Sequence, residues 1–191
     1  MTRTELPFKS LKDVIDYAKA EPGKLTYGNT GPWGAADLPW KQIRFLTHIE
    51  TRDIPYSGGG EHVLSLLGGH LQVIGAMKAQ TMPHVKSGKL RLLAVLDNNR
   101  DRDFPEVPTA KEQGIDVTCL MWRGVLVPKG TPRPIIDKLH MAFSKMVEDK
   151  TLVEMIKRFG DEIQYLGPDE FTKAWRDEYE LHKKLGQNFK K

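Results

Sequence analysis

The stretch that decides the fold runs from Leu25 to Ile43, "LTYGNTGPWGAADLPWKQI". A short strand-like run meets Gly28, Gly31 and Gly34 at every third residue, and a helix start follows at Asp37–Pro39. Glycine, having no Cβ, lets backbone N–H groups come close to a ligand. A helix N-terminus favours negative charge through its unpaired N–H groups and the macrodipole, by about 0.3–1 kcal/mol at a surface site. Strand, glycine turn and helix start together make an oxyanion cradle. The device recurs at "IPYSGGGEH", residues 54–62. The glycine spacing is neither the dinucleotide fingerprint nor a P-loop. No lysine or arginine stands inside the first turn. A phosphate usually recruits such a cation, whereas backbone amides and hydroxyls suffice for a carboxylate. Tight βα connections of this length are also common without any ligand, so at this point both readings stay open.

Outward from the turn, helices and strands alternate. Ser10 with Asp13 three residues on reads as a capping box, and Leu11, Val14, Ile15 and Ala18 form one apolar stripe. Residues 24–28 predict a strand and Pro39–His48 a helix. Arg52–Tyr56 predicts a second strand, and "EHVLSLL" a short helix closed by Gly68-Gly69. "HLQVIGAM" predicts a third strand, "QTMPHVKSG" a helical turn and "KLRLLAVL" a fourth strand. Thr109 and Glu112 form a second capping box, ended by Gly114. "DVTCLMWRGVLVP" reads as a long strand-like crossing between two lobes. The rest is mostly helical. Thr131 caps a helix carrying Ile135, Ile136, Leu139, Phe143 and Met146, and a helix over 151–159 stops at Gly160. "EIQYL" reads as a strand. A last helix sets Phe171, Trp175 and Tyr179 four apart, as a core stripe. This alternation predicts an α/β fold with a largely parallel sheet.

Composition narrows the function. The 191 residues suffice for one domain or two small lobes. The net charge of +4, from 29 basic and 25 acidic residues, is spread along the chain. Basic charge gathers only at "NNRDR" and the "FKK" end, so no nucleic-acid face is expected. The single cysteine, Cys119 in "VTCLMW", excludes an internal disulfide and reads as a buried, inert thiol. No apolar run reaches the roughly 18 residues of a membrane span. The N-terminus lacks the apolar core of a signal peptide, so as written the chain is expected to stay in the cytoplasm. Ser57 lacks the glycine two residues before it that a nucleophile elbow needs. The six histidines show no zinc-ligand spacing, and neither a metal, a cofactor nor a catalytic residue is expected.

Several motifs carry a resemblance when taken in order. "PFKSLKDVIDYAKAEPGKLTYGNTG", "IPYSGGGEHVLSLLGGHLQV", "MPHVKSGKLRLLAV", "FPEVPTAKEQGI" and "WRGVLVPKGTPRPIIDKL" resemble receptors of the tripartite tricarboxylate transporter family, the Bug-type solute-binding proteins. The likeness covers essentially the whole chain and implies a periplasmic-binding-protein-like (type II) α/β clamshell. Residues 1–120 resemble its second ligand-binding lobe, and 121–191 the C-terminal, mostly helical part of the first. Family members begin with a signal peptide and the start of the first lobe, and the chain as written is expected to lack both.

The resemblance implies a periplasmic, non-enzymatic receptor for a small carboxylate: a dicarboxylate, a tricarboxylate or an amino acid. Its partners would be membrane transporter subunits. The implied ligand residues are Asn29, Thr30, Gly31, Trp33, Gly34 and Ala35 in the first turn, with Tyr56, Ser57, Gly58 and Gly59 in the second. Amide N–H groups are expected to dominate, with the Thr30, Tyr56 and Ser57 hydroxyls adding specificity. The apolar 121–191 segment is expected to seek cover in a homodimer. The alternatives are a small α/β enzyme acting on an acyl or phosphoryl substrate, and a non-binding interaction fragment.

Overall fold

Ser10 and Asp13 cap one another: the Asp13 N–H donates to Ser10 Oγ at 3.1 Å, and the Ser10 N–H to Asp13 Oδ2 at 3.0 Å. Helix α1 (Leu11–Ala20) follows, burying Leu11, Val14, Ile15 and Ala18 as its sequence stripe predicts. The Lys9 N–H, followed by the Ser10 groups, holds the Asp13 carboxyl below its ordinary pKa. The computed structural model describes residues 1–188, so the basic "FKK" end, residues 189–191, lies outside the described residues. The chain divides into two compact units, Met1–Trp122 and Arg123–Lys191.

In the first unit the elements are β1 (Thr2–Arg3), α1, β2 (Thr26–Asn29), α2 (Asp37–Thr47), β3 (Arg52–Pro55), α3 (Gly59–Leu67), β4 (Val73–Ile74), α4 (Lys78–Lys86) and β5 (Leu90–Arg91). Strands β3, β2 and β4 form a parallel sheet in that order, with Gly28 opposite both Ile54 and Ile74. The short β1 and β5 pair antiparallel, Thr2 opposite Arg91, so the segment read as a fourth strand of the parallel sheet joins a separate ribbon instead. The pleat sends alternate side chains to opposite faces. Tyr27 and Val73 join a core with α1 and with Trp40 and Ile43 of α2. Ile74 joins a second core with Val63 and Leu66 of α3. Helices therefore cover both faces. Fully buried residues such as Leu25, Leu66 and Leu71 each stabilise the fold by about 1.5–3 kcal/mol.

Gly28 lies inside β2, not in the turn. A Cβ there would stand 2.4 Å from Leu71 Cδ1 and 3.1 Å from Ile74 Cγ2. The glycine serves packing of the second core and is no part of the cradle. Further on, Thr109 and Glu112 form their capping box over a 3-10 turn (Lys111–Gln113) closed by Gly114 at φ 82°. In "NNRDR", the Arg100 guanidinium pairs with Glu112, as on an ordinary solvated surface. "DVTCLMWRGVLVP" forms no strand. In its first-unit part, the Cys119 N–H donates to the Leu96 carbonyl, but no continuous ladder develops. Cys119 is half-buried, not buried as expected, because this segment runs outside the sheet.

The second unit holds α5 (Arg133–Met146), α6 (Lys150–Arg158) and α7 (Pro168–Asn188). Pro132, not Thr131, occupies the cap of α5; the Thr131 hydroxyl donates instead to the Pro128 carbonyl at 2.8 Å. Asp149 caps α6 by accepting the Leu152 N–H. "EIQYL" is irregular, and Tyr165 stacks on His140 with their Oη and Nδ1 atoms 2.8 Å apart. Trp175 and Tyr179 are exposed, as are Ile135, Leu139 and Met146. Trp175 and Tyr179 are therefore not core, while Phe171 of the same stripe is half-buried.

Candidate functional site

Strands β2, β3 and β4 are parallel, so the turns that leave them emerge at one edge of the sheet. Asn29 and Pro55 are opposite one another in register, and the Tyr56 N–H donates to the Asn29 carbonyl at 2.9 Å, tying the first two turns together. The strand order reverses about β2, with α2 on one face and α3 on the other. In open α/β sheets ligands bind outside the carboxyl ends of the strands at such a switch point.

The first turn is organised by a carboxylate of its own. Asp37, the first residue of α2, is almost fully buried. Its Oδ2 accepts the Trp33 N–H at 2.7 Å and pairs with Lys41 Nζ, while Oδ1 accepts Asn29 Nδ2 at 3.3 Å. Asn29 Oδ1 in turn accepts the Gly31 N–H at 2.9 Å. Gly31 sits at φ 96° and Trp33 at φ 61°. The first is natural for glycine; the second costs a bulky residue about 1–3 kcal/mol. Beneath the turn, Tyr27 Oη donates to the Ala36 carbonyl at 2.6 Å and its ring stacks on Trp40 at 4.2 Å. Burial pushes the Tyr27 hydroxyl well above its ordinary pKa, so it stays a neutral donor.

The second turn opens α3. Gly58 is its cap in extended backbone, and Gly59 and Gly60 already belong to the helix. The Ser57 N–H donates to Glu61 Oε2 at 3.2 Å. The Tyr56 hydroxyl meets Ser65 Oγ at 2.6 Å, so it is turned onto α3. A Cβ on Gly59 would stand 2.2 Å from Gln80 Nε2, which shows that the Gln80 side chain of α4 lies against the start of α3. His62 is buried below, with Nε2 2.8 Å from the Gly75 carbonyl and Nδ1 3.4 Å from that of Gly58. It braces the second turn against the chain leaving β4.

An accounting of amides separates the two roles of these turns. The N–H groups of Gly31, Trp33, Gly34, Tyr56 and Ser57 are taken up internally, the Gly34 group by the Gly31 carbonyl. Among the described residues, those of Thr30, Ala35, Gly58, Gly59 and Gly60 have no hydrogen-bond acceptor. Ala35 and Ser57 are exposed, and Thr30, Gly34 and Gly58 half-buried. Of the ten residues expected at the site, Asn29, Gly31 and Gly34 thus shape the turn with their polar groups. Thr30, Ala35, Gly58 and Gly59 keep an amide open. Asp37, His62 and Gln80 were not among the expected site residues. An acidic residue at a helix start was a visible signal for Asp37, but Gln80 had none. Among the described residues no group of three or more His, Cys, Asp or Glu side chains could hold a metal.

A doubly wound sheet with its glycine turns at one edge is the fold of the periplasmic binding proteins. A TctC solute-binding protein from Polaromonas superposes with a TM-score of 0.83 at 30% identity, covering 98% of this chain and 64% of that one. An R. palustris protein with adipate superposes at TM-score 0.84 and 23% identity, with 97% and 62% covered. MatC from Rhodopseudomonas palustris with bound malate does so at TM-score 0.84 and 22% identity, with 96% and 64% covered. The model of the tripartite tricarboxylate transporter family receptor matches residues 1–190, and the chain belongs to that family. Its relatives include the UPF0065 protein in the gbd 5' region of Cupriavidus necator, 37% identical over 166 residues, with 87% of this chain and 50% of the relative covered. Protein BugT of Bordetella pertussis is 32% identical over 175 residues, with 89% and 52% covered. The chain spans about half the length of these relatives. Family and fold are those of solute-binding receptors.

Proposed function

We propose that the chain supplies carboxylate-binding turns of a receptor that delivers a small organic acid to a tripartite tricarboxylate-type transporter. The observation that carries this is the cluster of open amides at Thr30, Ala35 and Gly58–Gly60 on one sheet edge. Lys41 of α2, whose ammonium stands beside the first turn, is paired with the buried Asp37. What the turns offer an anion is therefore N–H groups, with the half-buried Gln80 amide beside α3 as a further donor. That set suits a carboxylate. The same fold holds adipate in one R. palustris protein and malate in another, which supports a small carboxylate; within that class the reading takes a dicarboxylate, a tricarboxylate or an amino acid.

In this reading Thr30, Trp33, Ala35, Ser57, Gly58 and Gly59 face the ligand, while Asn29, Gly31, Gly34 and Tyr56 hold the two turns in shape around it. Residues 1–120 act as the second lobe and 121–191 as the C-terminal part of the first. The receptor works in the periplasm, as a binder and not an enzyme. Among the described residues, no helix is long and apolar enough to cross a membrane.

The test exploits Gly60, where a Cβ would meet nothing within 4 Å. Proline is tolerated in the first turn of a helix and removes the N–H, whereas alanine keeps it. Titration calorimetry with malate and adipate should show binding by the chain and by Gly60→Ala, and at least about a fivefold loss for Gly60→Pro, the effect of one charge-assisted hydrogen bond. Equal affinities in the two variants would refute the amide cradle.

A further inference from the structure

We propose that Trp33 sets the ligand class of the first turn, selecting carboxylates with an apolar chain or ring beside the carboxylate over short hydrophilic ones. This rests on the receptor reading above and narrows its substrate. The backbone at Trp33 has φ 61°, a conformation that glycine or asparagine adopts at far less cost. Between Gly31 and Gly34 the chain instead carries its largest kind of side chain. Tryptophan is on average highly buried, yet Trp33 is 51% exposed.

The residue is also held in place. Its N–H donates to Asp37 Oδ2 at 2.7 Å, and Lys41 Nζ stands 5.5 Å from its ring centroid. Lys41 is itself paired with Asp37, whose side chain is 1% exposed. One buried carboxylate thus anchors both the backbone of Trp33 and the cation on its ring. An exposed aromatic that is already ordered loses little freedom when a ligand covers it. It behaves as a wall and not as a mobile surface side chain.

The charge balance points the same way. The ammonium at the indole is neutralised by Asp37, so it offers little to a second carboxylate. The open amide of Ala35, two residues along the same turn, takes the anionic end. The indole then offers an apolar face to the carbon skeleton attached to it. Ligand sites commonly combine such a wall with a few placed donors.

The experiment uses the full chain with the variants Trp33→Gly and Trp33→Phe. Glycine suits the positive φ, so the first variant should melt at the same temperature or higher. Acetate, hexanoate, benzoate and malate are titrated by calorimetry, and by chemical-shift titration where affinities are millimolar. The chain should prefer hexanoate and benzoate to acetate and malate by roughly tenfold or more, a preference that Trp33→Gly reduces to about twofold and Trp33→Phe largely keeps. A preference unchanged in Trp33→Gly overturns the proposal, as does a chain that favours malate. An equal loss for all four acids marks Trp33 as holding the turn only; it overturns this proposal and leaves the receptor reading intact. A chain that binds none of them overturns both.

Discussion

Asp37→Asn should destabilise the first unit although it changes one atom of a buried side chain. Four donors meet in one chain of acceptors. The Gly31 N–H uses Asn29 Oδ1, Asn29 Nδ2 uses Asp37 Oδ1, and the Trp33 N–H and Lys41 Nζ share Asp37 Oδ2. A carboxylate satisfies all of them. An amide at position 37 must point its NH₂ either at Asn29 Nδ2 or at the Trp33 N–H. Turning Asn29 over only moves the conflict to the Gly31 N–H. Every arrangement leaves one donor facing another, which costs about 2 kcal/mol. For a unit of this size that lowers Tm by roughly 6–10 °C. Asn29→Asp should cost a similar amount, since it sets a second carboxylate opposite Asp37. Combined, the two changes restore the alternation, with the carboxylate at position 29 accepting from the amide at 37. The pair should cost only about 1 kcal/mol, a coupling at the upper end for neighbouring groups. Urea and thermal unfolding of the four proteins measure this, with hydrogen exchange at the Trp33 amide as a local reporter. A double variant as unstable as the sum of the single ones would refute the reasoning.

Two further outcomes follow from packing. Gly28→Ala places a methyl group 2.4 Å from Leu71 Cδ1, so the second core must shift, and urea denaturation should show a loss of about 1–3 kcal/mol; a variant as stable as the parent would show that the core yields freely. The exposed Ile135, Leu139, Met146, Trp175 and Tyr179 support association of two copies, as apolar patches do. Light scattering should show a mass falling from dimer to monomer on dilution, and a strictly monomeric mass at high concentration would count decisively against it.

The sequence by itself determined whatever depends on a few neighbouring residues. The Ser10–Asp13 box, the apolar stripe of α1 and the Gly114 stop are local rules, and each stands where the residues placed it. The strand–glycine–helix rhythm likewise announced the parallel sheet and the edge at which its turns meet, and the ordered motifs announced the family. Tertiary structure alone decided which polar groups are spent inside the molecule and which stay open. Asp37 takes the Trp33 amide, Asn29 takes that of Gly31, and Gln80 reaches Gly59 from the next helix along the chain. The same limit explains the errors. "DVTCLMWRGVLVP" and "EIQYL" have strand-like composition but form no ladder among the described residues. A strand exists only where another backbone offers hydrogen bonds, and that partner is chosen across the fold. Gly28 was legible as a glycine but not as a packing residue, because Leu71 comes to it only when α3 and β4 close over the sheet. Local conformation is set by short-range sterics and capping, whereas pairing and burial depend on contacts between residues far apart in the chain.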